Sequence, residues 1–246
     1  MAHRFYVNNL GDSREVELGP DAAHHLRVLG LSLGSEVVLF DGTGLEVLAR
    51  IESISRADAR ALVLHRAQVS REAPVDLTLA CAVPKGPRMD VLLRACAELG
   101  VAAVVPLLTR RSVVREKKGS DSTPSRKKDR WHKIAVAASE QSGRNRVMSV
   151  EPPVPFEDFL GRSSDFDLAL VLSPDESAPA LPALLAQHPG LARLAVLVGP
   201  EGGFTDEELA LAAAHGLGTA RLTRSILRVE TAGIAAAAVA LTFFSR

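Results

Sequence analysis

The sequence predicts an α/β protein in which a small β-rich N-terminal domain precedes a larger domain of alternating strands and helices. Three observations support this fold class. Residues 1–70 contain short apolar runs separated by turn signals, and from Val75 onwards such runs alternate with segments of helical period. The chain ends in a nearly all-apolar helical segment, Val229–Phe244, which needs burial. Alternation of this kind is typical of a mostly parallel sheet.

The predicted N-terminal domain, residues 1–70, is a small barrel with one helix. Its strands are the runs SEVVLF, LEVLARIESI and ARALVLH, and Asp41-Gly42, followed by Gly44, is a turn signal between the first two. The segment GPDAAHHLRVL predicts a short helix, because Pro20 suits the first helical position and the apolar residues recur with helical spacing. The run RAQVSREAPVD follows as a linker.

The predicted C-terminal domain, residues 75–246, contains the alternating elements. The runs VDLTLACAV, VAAVVPLL, FDLALVL and LARLAVLV predict strands, and TARL a short one. The segment PRMDVLLRACAELG predicts a helix that ends at Gly100. In the helix SRKKDRWHKIAVAASEQSG, Trp131 lies at an apolar spacing, so we expect it in the core rather than as a platform for stacking bases.

Composition limits the possible functions. Lys plus Arg and Asp plus Glu both number 29, so any affinity for nucleic acid must come from a local patch. Cys81 and Cys96 lie in apolar surroundings and predict buried thiols rather than a disulfide. The histidines lack ligand spacing, so no metal is expected. The N-terminus lacks a signal-length apolar core and no uncharged run is long enough to span a membrane, which predicts a cytoplasmic protein.

The stretch LAVLVGPEGGFTDEE places a glycine turn, Gly199–Gly203, after an apolar strand. Thr205 and Glu208 have the spacing of a capping box, but capping alone does not explain Gly-Pro-Glu-Gly-Gly at a strand end. Ligands of open α/β sheets bind beyond the carboxyl ends of the strands. Three carboxylates in the first helical turn oppose phosphate. We therefore expect a neutral or cationic ligand that Glu201 faces, and S-adenosyl-L-methionine, a sulfonium without phosphate, fits.

Two further segments carry candidate residues. In LTRSILRVETAG, Arg228 precedes an apolar helix, where the helix dipole disfavours a cation; a catalytic role and a simple salt bridge both remain open. The segment from Arg110 to Lys133 carries ten basic and three acidic residues. It is either a solvated loop or a surface that contacts RNA phosphates.

Several segments together resemble the ribosomal small-subunit uridine-N3 methyltransferase family of the SPOUT superfamily, over nearly the whole chain. They are HRFYV, HHLRVLGL, FDGTG, VPKGPRMDVLLRACAELGVAAVVPLLTRRSV, RWHKIAVAASEQSGRNRV, VGPEGGFTDEE and ILRVETA, in the family's order. The resemblance implies a PUA-like N-terminal β-barrel for RNA and a SPOUT-type α/β domain with a deep trefoil knot. It also implies a homodimer and methylation, by S-adenosyl-L-methionine, of a uridine in 16S rRNA of the small ribosomal subunit.

The motifs and the resemblance together give candidate site residues. Arg4 and Arg228 are candidates to stabilise the uridine anion, and Glu201 either lies beside the sulfonium or acts as base. The expected cofactor site, formed largely by backbone groups, comprises Leu172, Val198, Gly199, Pro200, Glu201, Gly202, Gly203, Leu222, Ile226, Leu227, Arg228 and Ala232. The basic residues expected to face RNA are Arg4, Lys85, Arg88, Arg111, Arg126, Lys127, Lys128 and Arg144.

The sequence departs from the family's usual pattern at three positions. Thr223 stands where the family usually has glycine, which permits a positive φ, Ser225 stands where it has a basic residue, and Gly30 where it commonly has arginine. Two other classes therefore remain open. One is a ribosome-assembly RNA-binding protein without catalysis, and the other is a hydrolase or transferase for a free nucleoside, which the basic segment disfavours.

Overall fold

The structure is a computed structural model that describes residues 2–112 and 124–245, with the backbone alone at 124–126. It divides into two compact units. The first unit comprises Met1–Glu72 and Ser139–Val147, and the second comprises Ala73–Ala138 and Met148–Arg246.

The domain bounds expected from the sequence, 1–70 and 75–246, stay a prediction. The structure adds that the segment Ser139–Val147, far along the chain, makes its contacts within the first unit. Its side chains contribute hydrogen bonds there, which are described below with the arginines.

The first unit is a curled five-stranded sheet with one helix packed on it. Its elements are β1 (His3–Tyr6), β2 (Glu15–Leu18), α1 (Pro20–Val28), β3 (Glu36–Phe40), β4 (Leu45–Ile54) and β5 (Ala59–Gln68). The strand order is β1-β3-β4-β5-β2, with β1 parallel to β3 and the other pairs antiparallel.

The sequence correctly predicted β3, β4, β5 and α1, with Pro20 in the first turn of the helix. The predicted turn between β3 and β4 is present, and Gly42 and Gly44 have φ values of 85° and 96° that favour glycine. The sequence missed β1 and β2, because HRFY and EVEL are short and carry charges. Both strands are held in place by pairing with distant strands.

The second unit consists of a parallel sheet with helices. Its elements are β6 (Asp76–Ala82), α2 (Arg88–Leu99), β7 (Ala103–Leu108), α3 (Pro124–Ser142, whose last residues belong to the first unit), β8 (Ser149–Val150), β9 (Val154–Pro155), α4 (Phe156–Leu160), β10 (Leu168–Leu172), α5 (Leu181–Leu185), β11 (Arg193–Val198), α6 (Asp206–Ala214), β12 (Gly218–Ala220) and α7 (Val229–Phe244). The strand order is β12-β10-β11-β6-β7-β8, with β9 also on β7, and every pairing is parallel.

The alternating strands and helices and the mostly parallel sheet are thus confirmed. Gly100 ends α2 in the left-handed conformation with a φ of 104°, as the sequence predicted. Trp131 is buried in the core, and so are Cys81 and Cys96. Burial raises the pKa of both thiols, that of Cys96 to about 12, so neither is a ready nucleophile.

The terminal helix α7 is buried on one face only, whereas the sequence predicted full burial. Gly233 marks the buried face: a Cβ there would lie 2.8 Å from the Leu92 side chain and 3.0 Å from that of Leu79, so α7 approaches α2 and β6 closely. On the opposite face, Ile234 and Val239 are half-buried. Within the described residues, no helix is long and apolar enough to cross a bilayer.

Candidate functional site

A cavity of about 550 Å³ lies beyond the carboxyl ends of β10, β11 and β12. This is the position at which open parallel sheets bind ligands, because the loops after neighbouring strands converge there. The residues predicted to hold the cofactor line it, with the exception of Arg228. The lining residues are Leu172, Ser173, Pro174, Asp175, Val198, Gly199, Pro200, Glu201, Gly202, Gly203, Phe204, Leu209, Leu222, Thr223, Ser225, Ile226, Leu227 and Ala232.

The glycine turn Gly199–Gly203 forms one wall of the cavity. Gly199 has no room for a side chain, because a Cβ would lie 2.9 Å from the ring of Phe204. Gly203 has a φ of 70°, and its N–H donates a 2.8 Å hydrogen bond to the carbonyl oxygen of Pro200. The chain thus folds back tightly at this wall of the cavity.

The helix after the turn begins with the predicted capping box. The N–H of Glu208 donates to Oγ1 of Thr205 at 3.2 Å, and the N–H of Thr205 donates to Oε2 of Glu208 at 2.8 Å. Hydrogen bonding by Thr205 and then by backbone lowers the pKa of the exposed Glu207 carboxyl. The first turn of α6 thus carries three carboxylates of its own, and their charge would repel a phosphate there.

Glu208 also anchors a distant segment to this helix. Its side chain is buried, and Oε1 accepts a hydrogen bond of 2.9 Å from the backbone N–H of Arg110, which follows β7. The next residue, Arg111, donates to the carbonyl oxygen of Gly202 at 2.7 Å and reaches that of Phe204 at 3.4 Å. One of the basic residues expected to face RNA therefore contacts the wall of the cavity.

Glu201 lies in the cavity wall but already has a partner. A guanidinium nitrogen of Arg88, in the first turn of α2, lies 2.8 Å from Oε1 of Glu201. The same guanidinium lies 3.6 Å from Oε1 of Glu230 in the first turn of α7. Among the described residues, the second carboxylate oxygen of Glu230 is buried without a hydrogen-bond partner. Arg88 thus bridges two acids and the N-terminal turns of two helices.

The loop after β12 forms the opposite side of the cavity. The backbone at Thr223 does not require glycine, because its φ is not positive: in the described chain, only glycines have a positive φ. Its hydroxyl oxygen accepts from the N–H of Ser225 at 2.9 Å and donates to the Ser225 carbonyl at 2.9 Å. The loop therefore forms without a positive φ at Thr223, and hydrogen bonds of the Thr223 hydroxyl shape it.

The exposed end of the same loop carries Ile226 and Arg228. Ile226 is 85 % exposed although it lines the cavity. Arg228 is the residue that caps α7, and its side chain is exposed. In the described part of the chain, no carboxylate lies within ion-pair distance of Arg228, so the salt bridge that the sequence left open is not formed there.

Two of the predicted arginines lie in the first unit and are paired. Arg4 donates to Oε1 of Glu46 at 2.5 Å and lies over the ring of Phe40, 5.2 Å from its centroid. Arg144 is 5 % exposed and donates two hydrogen bonds to Glu72, at 3.1 Å and 2.5 Å. A buried guanidinium in this arrangement is not presented to solvent, and RNA contact by Arg144 stays a prediction.

The structure describes the side chains of three of the four remaining residues expected to face RNA. Lys85 and Lys128 are exposed, and Lys127 is partly so. The side chain of Arg126 and all of residues 113–123 lie outside the described part. Arg130, on the same helix, pairs with Asp90.

The sequence missed part of the cavity wall. Ser173, Pro174 and Asp175 follow β10 directly, and their position at a carboxyl strand end is a signal that could have identified them. Phe204 and Leu209 were missed because their contribution depends on how α6 folds back over the turn. Among the described residues, no group of three or more His, Cys, Asp or Glu side chains could hold a metal ion.

The chain is similar to known RNA methyltransferases over nearly its whole length. A family model described as an RNA methyltransferase domain matches residues 71–241, and one described as an RNA methyltransferase PUA domain matches residues 18–64. The ribosomal RNA small subunit methyltransferase E of Bacillus subtilis is 32% identical over 218 residues, which cover 87% of this chain and 84% of that protein. The protein of the same name from Synechocystis is 35% identical over 212 residues, covering 85% and 67%.

A solved structure shares this architecture. The crystal structure of a ribosomal RNA small subunit methyltransferase E from Neisseria gonorrhoeae, bound to S-adenosyl methionine, has a TM-score of 0.88 at 32% sequence identity. The match covers 99% of this chain and 98% of that one.

Proposed function

The chain belongs to the RNA methyltransferase family that includes the ribosomal RNA small subunit methyltransferases E, and from this premise we propose that it methylates N3 of a uridine in 16S rRNA. The methyl donor is S-adenosyl-L-methionine. The observation that carries the proposal is the cavity at the carboxyl ends of β10, β11 and β12, walled by a glycine turn whose helix start repels phosphate.

The residues present fit this cofactor. A cavity of about 550 Å³ lies in the range of small-molecule sites, which are mostly apolar with a few convergent polar groups. Apolar side chains such as Leu172 and Leu222 suit an adenine ring, and the backbone of Gly199–Gly203 offers hydrogen bonds at close range. Asp175 and Glu201 are the cavity's carboxylates, and they suit the cationic and hydroxyl groups of the ligand.

The bound cofactor supplies an electrophilic methyl group on a positively charged sulfur. The cavity wall orients that methyl group towards the incoming base and excludes water behind it, so that N3 of the uracil meets the carbon in line with the sulfur. The new bond forms from N3 to carbon, the sulfur keeps the electrons of the broken bond, and the N3 proton leaves to a base or to solvent. The base must be unpaired or flipped out to reach this position.

Arg228 is our candidate to stabilise the uridine anion as the N3 proton leaves. It follows Leu227, which lines the cavity, and within the described chain its exposed guanidinium is not committed to a carboxylate. A cation at that place lowers the energy of negative charge on the uracil oxygens. Arg4 stays a second candidate from the sequence alone, and its guanidinium is paired with Glu46 within the first unit.

Glu201 serves the sulfonium rather than the proton in this proposal. The contact with Arg88, at 2.8 Å, already engages one of its carboxylate oxygens, so the carboxylate is held in place at the cavity wall. A carboxylate beside the sulfonium attracts its positive charge and so stabilises the bound cofactor before transfer. After transfer the sulfur is neutral, so this attraction is lost and release of the product is favoured.

The RNA surface, the oligomeric state and the location are further parts of the proposal. Lys85, Lys127 and Lys128 would contact phosphates together with Arg126. The half-exposed apolar face of α7, with Ile234 and Val239, suits burial against a second copy in a homodimer. From the family premise we also propose a deep trefoil knot in the second unit and action in the cytoplasm.

Primer extension on small-subunit RNA from cells with and without this protein tests the function. An N3 methyl group blocks Watson–Crick pairing, so reverse transcriptase should stop one nucleotide before a single uridine only when the protein is present. Nucleoside analysis of the RNA should show 3-methyluridine in the same cells. An identical pattern of stops in both strains would leave the non-catalytic ribosome-assembly protein as the better reading.

A further inference from the structure

A short turn after β7, residues 109–112, is held by hydrogen bonds within the turn and by one hydrogen bond to α6. The N–H of Thr109 donates to Oγ of Ser112 at 3.1 Å, and the N–H of Ser112 donates to the Thr109 carbonyl at 3.1 Å. The two hydroxyl oxygens lie 2.8 Å apart. The N–H of Arg110 donates to the buried carboxylate of Glu208 at 2.9 Å. These hydrogen bonds fix the backbone on both sides of Arg111.

From this turn, the side chain of Arg111 crosses to the glycine turn. One guanidinium nitrogen donates to the carbonyl oxygen of Gly202 at 2.7 Å and lies 3.4 Å from that of Phe204. Its methylene groups pack against Gly202, where a Cβ would lie 3.4 Å from Cδ of the arginine. Both carbonyl groups belong to residues that line the cavity.

The charges around Arg111 favour this position. The first turn of α6, which begins two residues after Phe204, carries Asp206, Glu207 and Glu208, so the adjoining segment is negatively charged. A charged donor to a carbonyl oxygen makes a stronger hydrogen bond than a neutral one. Arg110 differs: within the described residues, its exposed side chain forms an ion pair with the exposed Glu207, at 3.8 Å.

We propose that Arg111 is a positioning residue of the cofactor cavity. It holds the carbonyl groups of Gly202 and Phe204 and so keeps the turn Gly199–Gly203 in the shape that receives the cofactor, before any RNA is bound. The proposal rests on the proposed function and assigns to Arg111 a role that the sequence analysis did not, because the family resemblance implied contact with RNA at this position.

Calorimetry with S-adenosylhomocysteine, without RNA, tests the proposal on the full-length chain. We expect Arg111→Ala to weaken binding about tenfold, which corresponds to about 1.4 kcal/mol. Arg111→Lys should recover part of that loss, because an ammonium group still donates to one carbonyl oxygen. Arg110→Ala removes the same charge one residue away and should change the affinity less than about twofold, since exposed ion pairs contribute little.

Two further readouts separate positioning from a general loss of structure. Thermal unfolding of Arg111→Ala without ligand should keep the wild-type midpoint. With cofactor varied, KM should rise while kcat at saturating cofactor stays close to wild type. If Arg111→Ala binds S-adenosylhomocysteine as tightly as the wild type, Arg111 belongs to the RNA surface alone and the proposal is wrong. If the wild type itself does not bind S-adenosylhomocysteine, the proposed function fails instead.

Discussion

Arg144 in the first unit and Arg228 in the second unit differ in burial and in pairing. In the first unit, Arg144 is buried and donates two hydrogen bonds to Glu72, and Arg4 is paired with Glu46. In the second unit, Arg228 is exposed beside the cavity loop, with no carboxylate at ion-pair distance in the described chain. Removing one partner of a buried ion pair destabilises the fold, because it leaves an uncompensated charge in the interior. An unpaired exposed charge contributes little to folding and stays available for substrate.

The largest effect is expected from breaking the buried pair of the first unit. Glu72→Ala removes the carboxylate that accepts two hydrogen bonds from the buried guanidinium of Arg144, and the free energy of unfolding should fall by about 3 kcal/mol. Denaturant titration measures this change. The matched control is Glu36→Ala, which removes an exposed partner of Arg50 and should cost less than about 1 kcal/mol. Equal losses in both variants would contradict the contrast between the two regions.

Arg228→Ala should lower the rate of methylation and leave the stability of the fold unchanged. We expect single-turnover methylation to fall about 100-fold, because a developing anion loses its cation. Affinity for S-adenosylhomocysteine and the free energy of unfolding should stay near wild type, since the side chain is exposed and lies outside the cavity lining. Arg224→Ala, an exposed arginine of the same loop, is the control and should methylate normally. A wild-type rate in folded Arg228→Ala would remove it from the catalytic residues.

Gly199→Ala should damage the cavity more than the fold. An added Cβ would lie 2.9 Å from the ring of Phe204, which in turn packs against Phe156 with ring centroids 5.0 Å apart. The ring has little room to retreat, so the turn must shift, and affinity for S-adenosylhomocysteine should fall about tenfold, or about 1.4 kcal/mol. Gly190→Ala, at a glycine with open space around it, is the control. Unchanged affinity in Gly199→Ala would show that the turn does not set the shape of the site.

The ion pair of Glu46 gives a pH dependence. Burial raises the pKa of this carboxyl, but hydrogen bonds and charges from Arg71 and Arg4 outweigh burial and lower it below 4.5. The stabilisation is therefore present above the unfolded pKa and is lost as the pH falls through the lowered folded value. We expect Glu46→Gln to cost about 1 kcal/mol at neutral pH and less at about pH 3. A difference that does not shrink in acid would contradict this assignment.

The smallest effect is expected from a single exposed lysine. We proposed that Lys128 contacts an RNA phosphate, and on that basis Lys128→Ala should lower RNA affinity about fivefold at 0.15 M salt and reduce the salt slope by about 0.7 to 0.9. Filter binding across a salt series measures both. Affinity for S-adenosylhomocysteine should not change, because Lys128 is not part of the cavity lining. A loss of RNA affinity that does not depend on salt would point to a contact other than phosphate.

The sequence by itself determined the features that depend on near neighbours. The capping box joins Thr205 and Glu208, three residues apart, and the glycine turn follows directly on a predicted strand. The alternation of strands and helices predicted a parallel sheet, and a parallel sheet predicted a ligand site at its carboxyl edge. Local hydrogen bonds and periodicity are written in consecutive residues, so these predictions needed no tertiary information.

Only the tertiary structure decided which distant side chains meet. Arg111 reaches Gly202 across 91 positions, and Arg88 reaches Glu201 across 113. Both arginines lie among basic residues that the sequence assigned to RNA, and Arg144 is buried against Glu72, 72 positions away. These contacts depend on the order of strands in the sheet and on the depth at which each side chain is buried. Strand order and burial arise from packing of the whole chain, which no short stretch of sequence contains.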